Sequence, residues 1–155
     1  MRLLIQRVKN GAVHIDGQPV ASIAHGLVVL VGFGENDPLD LPDQKVWDTM
    51  IQKMLGLRIF SDESGKMNLS LQDAGYDLLL VPQFTLYASC KKGRRPSFTG
   101  ACPPATATTL FDMLVAECEK QLSQKIQCGV FGADMDVSLT NWGPVTIMLD
   151  SSDFA

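Results

Sequence analysis

Two short stretches, Leu27-Val28-Val29-Leu30-Val31 and Leu78-Leu79-Leu80-Val81, are apolar at every position. A strand that packs on one face alternates apolar with polar residues, because successive side chains point to opposite faces. An unbroken run therefore asks for cover on both faces, and runs this short favour strands over helices. Gly26 to Phe33 and Tyr76 to Val81 are accordingly read as strands buried on both faces. The rest of the chain must supply the two layers that cover them.

The other elements follow from periodicity and punctuation. Leu3 to Val8 and Val13 to Ile15 read as two strands around Asn10-Gly11, and Asp16-Gly17 reads as a tight turn into Val20 to Ile23. A helix is expected from Asp40–Pro42 to Gly56, with a proline in its first turn. Val46, Trp47, Met50, Ile51, Met54 and Leu55 recur at helical spacing on one face of it. Leu57 to Phe60 reads as a short strand and Ser61 to Asn68 as a polar loop. A second helix is expected from about Ala105 to Ser123, with the stripe Ala107, Leu110, Phe111, Leu114, Cys118 and Leu122. Ile126 to Phe131 reads as a strand. Two last strands, over Met135–Leu139 and Val145–Leu149, flank Gly143-Pro144.

That count is eight or nine strands and two helices, with many connections too short for a crossover. It predicts a mixed α/β fold: a curved, mainly antiparallel sheet system or barrel-like core with two main helices packed on one side. The 155 residues contain no linker or repeat, so one domain spanning 1–155 is expected.

Composition narrows the function classes. No apolar run approaches the roughly 20 residues needed to span a bilayer, and Gln6 and Arg7 interrupt the N-terminus too early for a signal peptide. A cytoplasmic protein without membrane partners is expected. The four cysteines, Cys90, Cys102, Cys118 and Cys128, form no C-x-x-C pair, and neither His14 nor His25 stands at ligand spacing from them. No metal site and no cofactor are therefore expected. A net charge of −4 argues against a broad nucleic-acid face, and with it against a DNA partner. One local exception is Lys91-Lys92-Gly93-Arg94-Arg95, which places four cations in five residues. It reads either as a solvated loop or as a phosphate clamp suited to the end of an RNA.

Familiar catalytic constellations are missing from the string: no G-x-S-x-G elbow, no H-E-x-x-H, no phosphate loop. Two stretches stand out instead. Pro82-Gln83-Phe84-Thr85-Leu86 follows the second apolar run. Thr85 has no base adjacent in sequence, so a covalent threonine mechanism is not implied. Backbone N–H groups of Phe84 and Thr85 are better suited to stabilising an oxyanion, which asks nothing of a side chain. The other stretch is Asn141-Trp142-Gly143-Pro144-Val145-Thr146. By spacing alone its Gly-Pro reads as a hairpin bend or as a pair of backbone acceptors offered to a ligand.

Together these two stretches resemble the Ser-Gln-Phe-Thr-Leu and Asn-x-Gly-Pro-Val-Thr motifs of the D-aminoacyl-tRNA deacylases. Further likeness lies in Leu4-Ile5-Gln6-Arg7-Val8, in Arg58-Ile59-Phe60-Ser61-Asp62, in Gly65-Lys66-Met67-Asn68 and in Arg95-Pro96-Ser97-Phe98. It covers essentially the whole chain. The resemblance implies a homodimer that hydrolyses the ester between a D-amino acid, or glycine, and the 3′ end of tRNA, with no cofactor. It implies that Gln83, Phe84 and Thr85 carry catalysis through backbone groups, helped by the 2′-OH of the tRNA itself. It also implies a cis Gly143–Pro144 peptide, held by Arg7 and inserted into the partner's pocket to exclude L-side chains. Lys91, Lys92, Arg94 and Arg95 would then contact the tRNA.

One departure is Pro82, which stands where the family has serine and so lacks both a hydroxyl and a backbone N–H. A related animal group with relaxed chirality carries Pro-Gln-x-Thr-Leu, but has tyrosine after its Gly-Pro. Val145 and Arg7 fit the D-specific group. Two other functions remain open from the residues: a non-catalytic module binding tRNA ends, and a barrel binding free D-amino acids.

Overall fold

The computed structural model describes residues 1–154. Its strands are β1 (Arg2–Ile15), β2 (Gln18–Ile23), β3 (Gly26–Gly32), β4 (Phe60–Ser61), β5 (Met67–Leu69), β6 (Asp77–Pro82), β7 (Ile126–Cys128) and β8 (Asp136–Asp150). The helices are α1 (Lys45–Gly56), α2 (Leu71–Ala74) and α3 (Pro104–Gln121). The main sheet runs β2-β1-β3-β6-β7, with β8 on the other edge of β1. β3 and β6 pair in parallel, as do β6 and β7, while every pairing of β1 is antiparallel. The mixed α/β, barrel-like architecture expected from the sequence is what the chain adopts.

Both unbroken apolar runs are central strands, and each serves two cores by alternation. Leu27, Val29 and Val31 of β3 and Leu78 and Leu80 of β6 join one core. Trp47, Met50, Ile51 and Met54 of α1 and Leu110, Phe111 and Leu114 of α3 pack into the same core. Val28 of β3 and Leu79 and Val81 of β6 face the opposite way, into a second core with Val8, Val13, Ala21 and Ile23. Each such fully buried side chain contributes roughly 1.5–3 kcal/mol relative to exposure. Cover on both faces is thus two helices on one side and the curled β1–β2 hairpin with β8 on the other.

Several expectations are corrected. Asn10-Gly11 is not a turn, because β1 runs unbroken through it. Gly11 sits at the closest approach of the second core: a Cβ there would lie 2.6 Å from Val28 Cγ2. The glycine serves packing rather than bending. The irregularity in β1 is instead at Lys9, a bulge between the pairs Val8–Asn141 and Asn10–Thr140. On β1, odd-numbered Leu3 and Ile5 face the helical core and odd-numbered Val13 faces the other. One extra residue is what changes their side.

Pro42 lies in a separate 3-10 turn, Leu41–Asp43, and α1 begins after Gln44, whose ψ of 141° interrupts the helix. The region read as loop after Phe60 holds a small β4–β5 ladder, followed by the one-turn helix α2. Ser70 and Asp73 form a capping box across α2, and Gly75 ends it at φ 67°. The strand expected over Ile126–Phe131 ends at Cys128.

Candidate active site

The second sequence stretch does not end one strand and begin another. β8 continues in one direction from Asp136 to Asp150, paired with β1 on both sides of Gly143-Pro144. Gln6 pairs with Thr146 and Val8 with Asn141, so Trp142–Val145 stand opposite Arg7 alone and are pushed out of the ladder. The hairpin reading is therefore wrong. The chain forms an extruded loop on a continuous strand.

Three side chains fix this loop. Arg7 is the buried charged residue among the described residues, 6% exposed, and sits on β1 directly beneath it. Its Nε donates to the Trp142 carbonyl at 2.8 Å, its Nη1 donates to the Ile59 carbonyl, and its guanidinium lies 4.9 Å from the Trp142 ring centroid. Trp142 in turn meets His25 edge-on at 5.3 Å. Asn141 closes the base of the loop: its Oδ1 accepts from the Val145 N–H at 2.7 Å, and its Nδ2 donates to Thr146 Oγ1 at 2.9 Å. The tip, Gly143-Pro144, is exposed, and its peptide is cis. Gly143 has φ +135°, and a Cβ there would stand 2.8 Å from Arg7 Nη2 and 2.9 Å from Val145 Cγ2. Glycine is thus required by the loop's own support, not only by whatever faces the tip.

Gln83-Phe84-Thr85 leaves the end of β6 as a 3-10 turn, Phe84–Tyr87, rather than prolonging the strand. Gln83 N–H still donates to the Val31 carbonyl at 2.7 Å, which moors the turn to β3. Leu86 N–H returns to the Gln83 carbonyl and Ala88 N–H to the Thr85 carbonyl. The Phe84 and Thr85 N–H groups have no acceptor among the described residues, as the first donors of a helical turn do not. The Gln83 side chain donates to Thr85 Oγ1, and Thr85 is exposed.

Beside the turn lies a groove of about 230 Å³, walled by Pro82, Gln83 and Phe84 on one side and by Ala133, Asp134 and Met135 on the other. The second wall was not anticipated. It forms because Gly132, at φ 75°, turns the chain back toward β6, and Met135 Sδ accepts from the Val130 N–H at 3.3 Å. The Gly132-Ala133-Asp134 turn signal was the available clue.

Another unforeseen residue is Arg2. Its Nη1 donates to the Leu86 carbonyl at 2.8 Å, its Nε to Asp150 at 2.7 Å, and its guanidinium covers the Tyr87 ring at 4.4 Å. It ties the far end of the turn to the start of β1 and the end of β8.

Burial pushes Cys118 up to about 12 and Cys128 up to about 11, so both stay protonated near neutrality. No group of three or more metal-ligating side chains occurs among the described residues.

The two motifs are far apart within one chain. Arg7 pairs with Leu27 of β3, while Gln83 bonds to Val31. That separates them by roughly 13 Å along the strand and, over three strand spacings, about 14 Å across the sheet. Lys91, Lys92, Arg94 and Arg95 lie instead on the same side as the Gln83-Phe84-Thr85 turn, in a hairpin closed by Ser89 and Ser97. All four are exposed.

A D-aminoacyl-tRNA deacylase of Solidesulfovibrio magneticus is 58% identical over 153 residues, covering 99% of this chain and 97% of that protein. One from Nitratidesulfovibrio vulgaris is 50% identical, with coverage of 99% and 94%. Among solved structures, a c-Myc DNA Unwinding Element Binding Protein superposes with a TM-score of 0.87 at 37% identity, covering 97% of this chain and 98% of that one. A probable eukaryotic D-amino acid tRNA deacylase has the same fold, with a TM-score of 0.77 at 19% identity and coverage of 96% and 97%. The model of the D-Tyr-tRNA(Tyr) deacylase family matches residues 4–150, a span that takes in both motif loops and Arg7, and the chain belongs to that family.

Proposed function

We propose that this chain hydrolyses the ester bond of D-aminoacyl-tRNA, and of glycyl-tRNA mischarged on tRNA-Ala, releasing free tRNA and the amino acid while sparing L-aminoacyl-tRNA. The observation that carries the reading is the pair of unengaged N–H donors at Phe84 and Thr85, at the mouth of a groove, in a member of this family. Ester hydrolysis builds negative charge on the carbonyl oxygen, and fixed amide donors stabilise it without reorganising. Removing one such donor typically costs about 10²–10³ in kcat. The neighbouring 2′-OH of the terminal ribose orients the attack, so the protein need supply no general base.

Selection against L-substrates is assigned to Gly143-Pro144. A wall of backbone discriminates by collision, which rejects one enantiomer without having to bind the other tightly. Its separation from its own chain's Gln83-Phe84-Thr85 turn supports a homodimer in which each tip enters the partner's groove. Arg7 and Asn141 keep the tip rigid enough to act as a wall. The cations Lys91, Lys92, Arg94 and Arg95 meet phosphates of the acceptor end. The protein acts in the cytoplasm, and among the described residues no helix is long and apolar enough to cross a membrane.

The test is deacylation of matched D-, L- and glycyl-tRNA pairs by the purified protein. Release from the D- and glycyl-tRNA with the L-ester preserved is the expected result. Protection of the D-ester would leave a binding module in its place.

A further inference from the structure

An aromatic pair that hydrolysis does not use joins the candidate-site turn to the end of the hairpin that follows it. Phe84 is 53% exposed and Phe98 40%, and their rings meet at 5.1 Å with an interplanar angle of 68°. Edge-to-face packing occupies one ring face and leaves the others open. Phe98 is held in place from its backbone. Its carbonyl accepts from the Ala101 N–H at 3.0 Å, and the preceding residue, Ser97, exchanges both ladder bonds with Ser89 at 2.8 and 2.9 Å. Ala101 also bridges to Gly34, two residues past the end of β3, so the base of this segment is moored beside the sheet.

Between Ser89 and Ser97 the hairpin carries Lys91, Lys92, Arg94 and Arg95, and none of them has an acidic partner within 4 Å among the described residues. Four free cations beside two open aromatic rings, on a chain of net charge −4, are complementary to an anionic strand that also offers flat faces. Unpaired nucleic acid is such a ligand, and stacking on it is indifferent to sequence because every base has a π-face. A duplex keeps its base faces covered, and an acidic peptide has none.

We propose that Phe84 and Phe98 form a stacking ledge for an unpaired nucleotide preceding the terminal adenosine, with the hairpin cations taking the adjoining phosphates. The assignment of the adenosine rests on the deacylase reading; the ledge itself does not. It starts at the ring of the same residue whose N–H is a free donor, so a strand lying on the ledge delivers its 3′ end to the groove.

The test is binding of a fluorescently labelled single-stranded RNA tail, followed by anisotropy, to the wild-type chain, Phe98→Ala and Phe98→Tyr. Phe98→Ala should weaken binding about tenfold, and Phe98→Tyr should hold it near wild type. A blunt RNA duplex and an acidic peptide of equal charge should show no difference among the three proteins. In a parallel assay, kcat/KM is measured on D-aminoacyl-tRNA and on the same D-aminoacyl ester of adenosine alone. Phe98→Ala should lose at least about fivefold more on the tRNA than on the adenosine ester, and the loss should lie in KM. RNA binding insensitive to Phe98→Ala, or equal losses on the two esters, would overturn the ledge. Phe98-dependent RNA binding by a wild-type chain that cleaves neither ester would overturn the deacylase reading and leave the ledge standing.

Discussion

The guanidinium of Arg7 donates to the carbonyl of Trp142 at 2.8 Å and lies 4.9 Å from that residue's own indole centroid. One side chain thus holds both the backbone and the ring of the residue that begins the extruded loop. Lysine reproduces the charge but not the fork or the stacking surface. Arg7→Lys should therefore fail to rescue what Arg7→Ala loses. Each variant is expected to unfold at lower urea concentration, with Arg7→Ala costing roughly 3 kcal/mol through two lost charged hydrogen bonds. Hydrolysis of L-aminoacyl-tRNA should rise relative to D as the tip slackens. Unchanged enantioselectivity in a destabilised Arg7→Lys protein would reduce Arg7 to a purely structural role.

Thr85 gives the second prediction. Its hydroxyl accepts from the Gln83 side chain and is exposed, with no base beside it. Thr85→Ala keeps the backbone N–H, so deacylation should persist with a loss well under the ~10³-fold expected for removing a nucleophile. Single-turnover kinetics on D-aminoacyl-tRNA decide this. Complete loss in a folded, tRNA-binding variant would mean that the hydroxyl takes part directly.

The hairpin cations should register as counterion release. Neutralising Lys91 and Arg94 together should reduce the slope of log K against log salt by about 1.4 if both meet single-strand phosphates. Filter binding of tRNA across a salt series measures it. An unaltered slope would return these residues to the solvent.

A fourth prediction concerns acid. Burial opposes ionisation of Asp150, but hydrogen bonds from Arg2 and Ser152 outweigh it and hold its carboxyl below the ordinary range. A carboxylate depressed in the folded state contributes stability above its unfolded pKa, about 3.9, and that contribution is lost as pH falls through the folded value. Wild-type stability should thus fall from about pH 5 downward, and Asp150→Asn should make that fall shallower. Asp62, Asp73 and Glu117 are depressed too, so some slope should survive in the variant. Parallel acid limbs for the two proteins would exclude Asp150 as a contributor.

What the sequence made legible was burial. Leu27–Val31 and Leu78–Val81 announced central strands because side chains on both faces had to be apolar, and α1 and α3 announced themselves by a single stripe. Less legible was the use to which a turn residue is put. Asn10-Gly11 and Gly143-Pro144 carry the same local signals as hairpins. In the fold Gly11 makes room for Val28 inside a strand, and Gly143 makes room for Arg7 inside a loop. Both depend on partners distant in the chain, which no local window contains. Arg2 and the Gly132–Met135 wall were hidden for the same reason. Arg2 reads as a charged residue at a terminus until Leu86 and Asp150 are brought beside it.

The ladder between β1 and β8 resumes on either side of Trp142–Val145, at the pairs Gln6–Thr146 and Val8–Asn141. Within the loop, Trp142 and Val145 are half-buried anchors, while Gly143 and Pro144 stand outside. Heredity can therefore act on the two functions separately. Drift in the anchors is checked by folding; drift at Pro144 answers, on the proposed function, to which substrates are turned away, and Gly143 answers to both. On the proposed function, a lineage could widen or narrow its tolerance for amino acids by editing Pro144, while the scaffold accumulates substitutions on an unrelated clock.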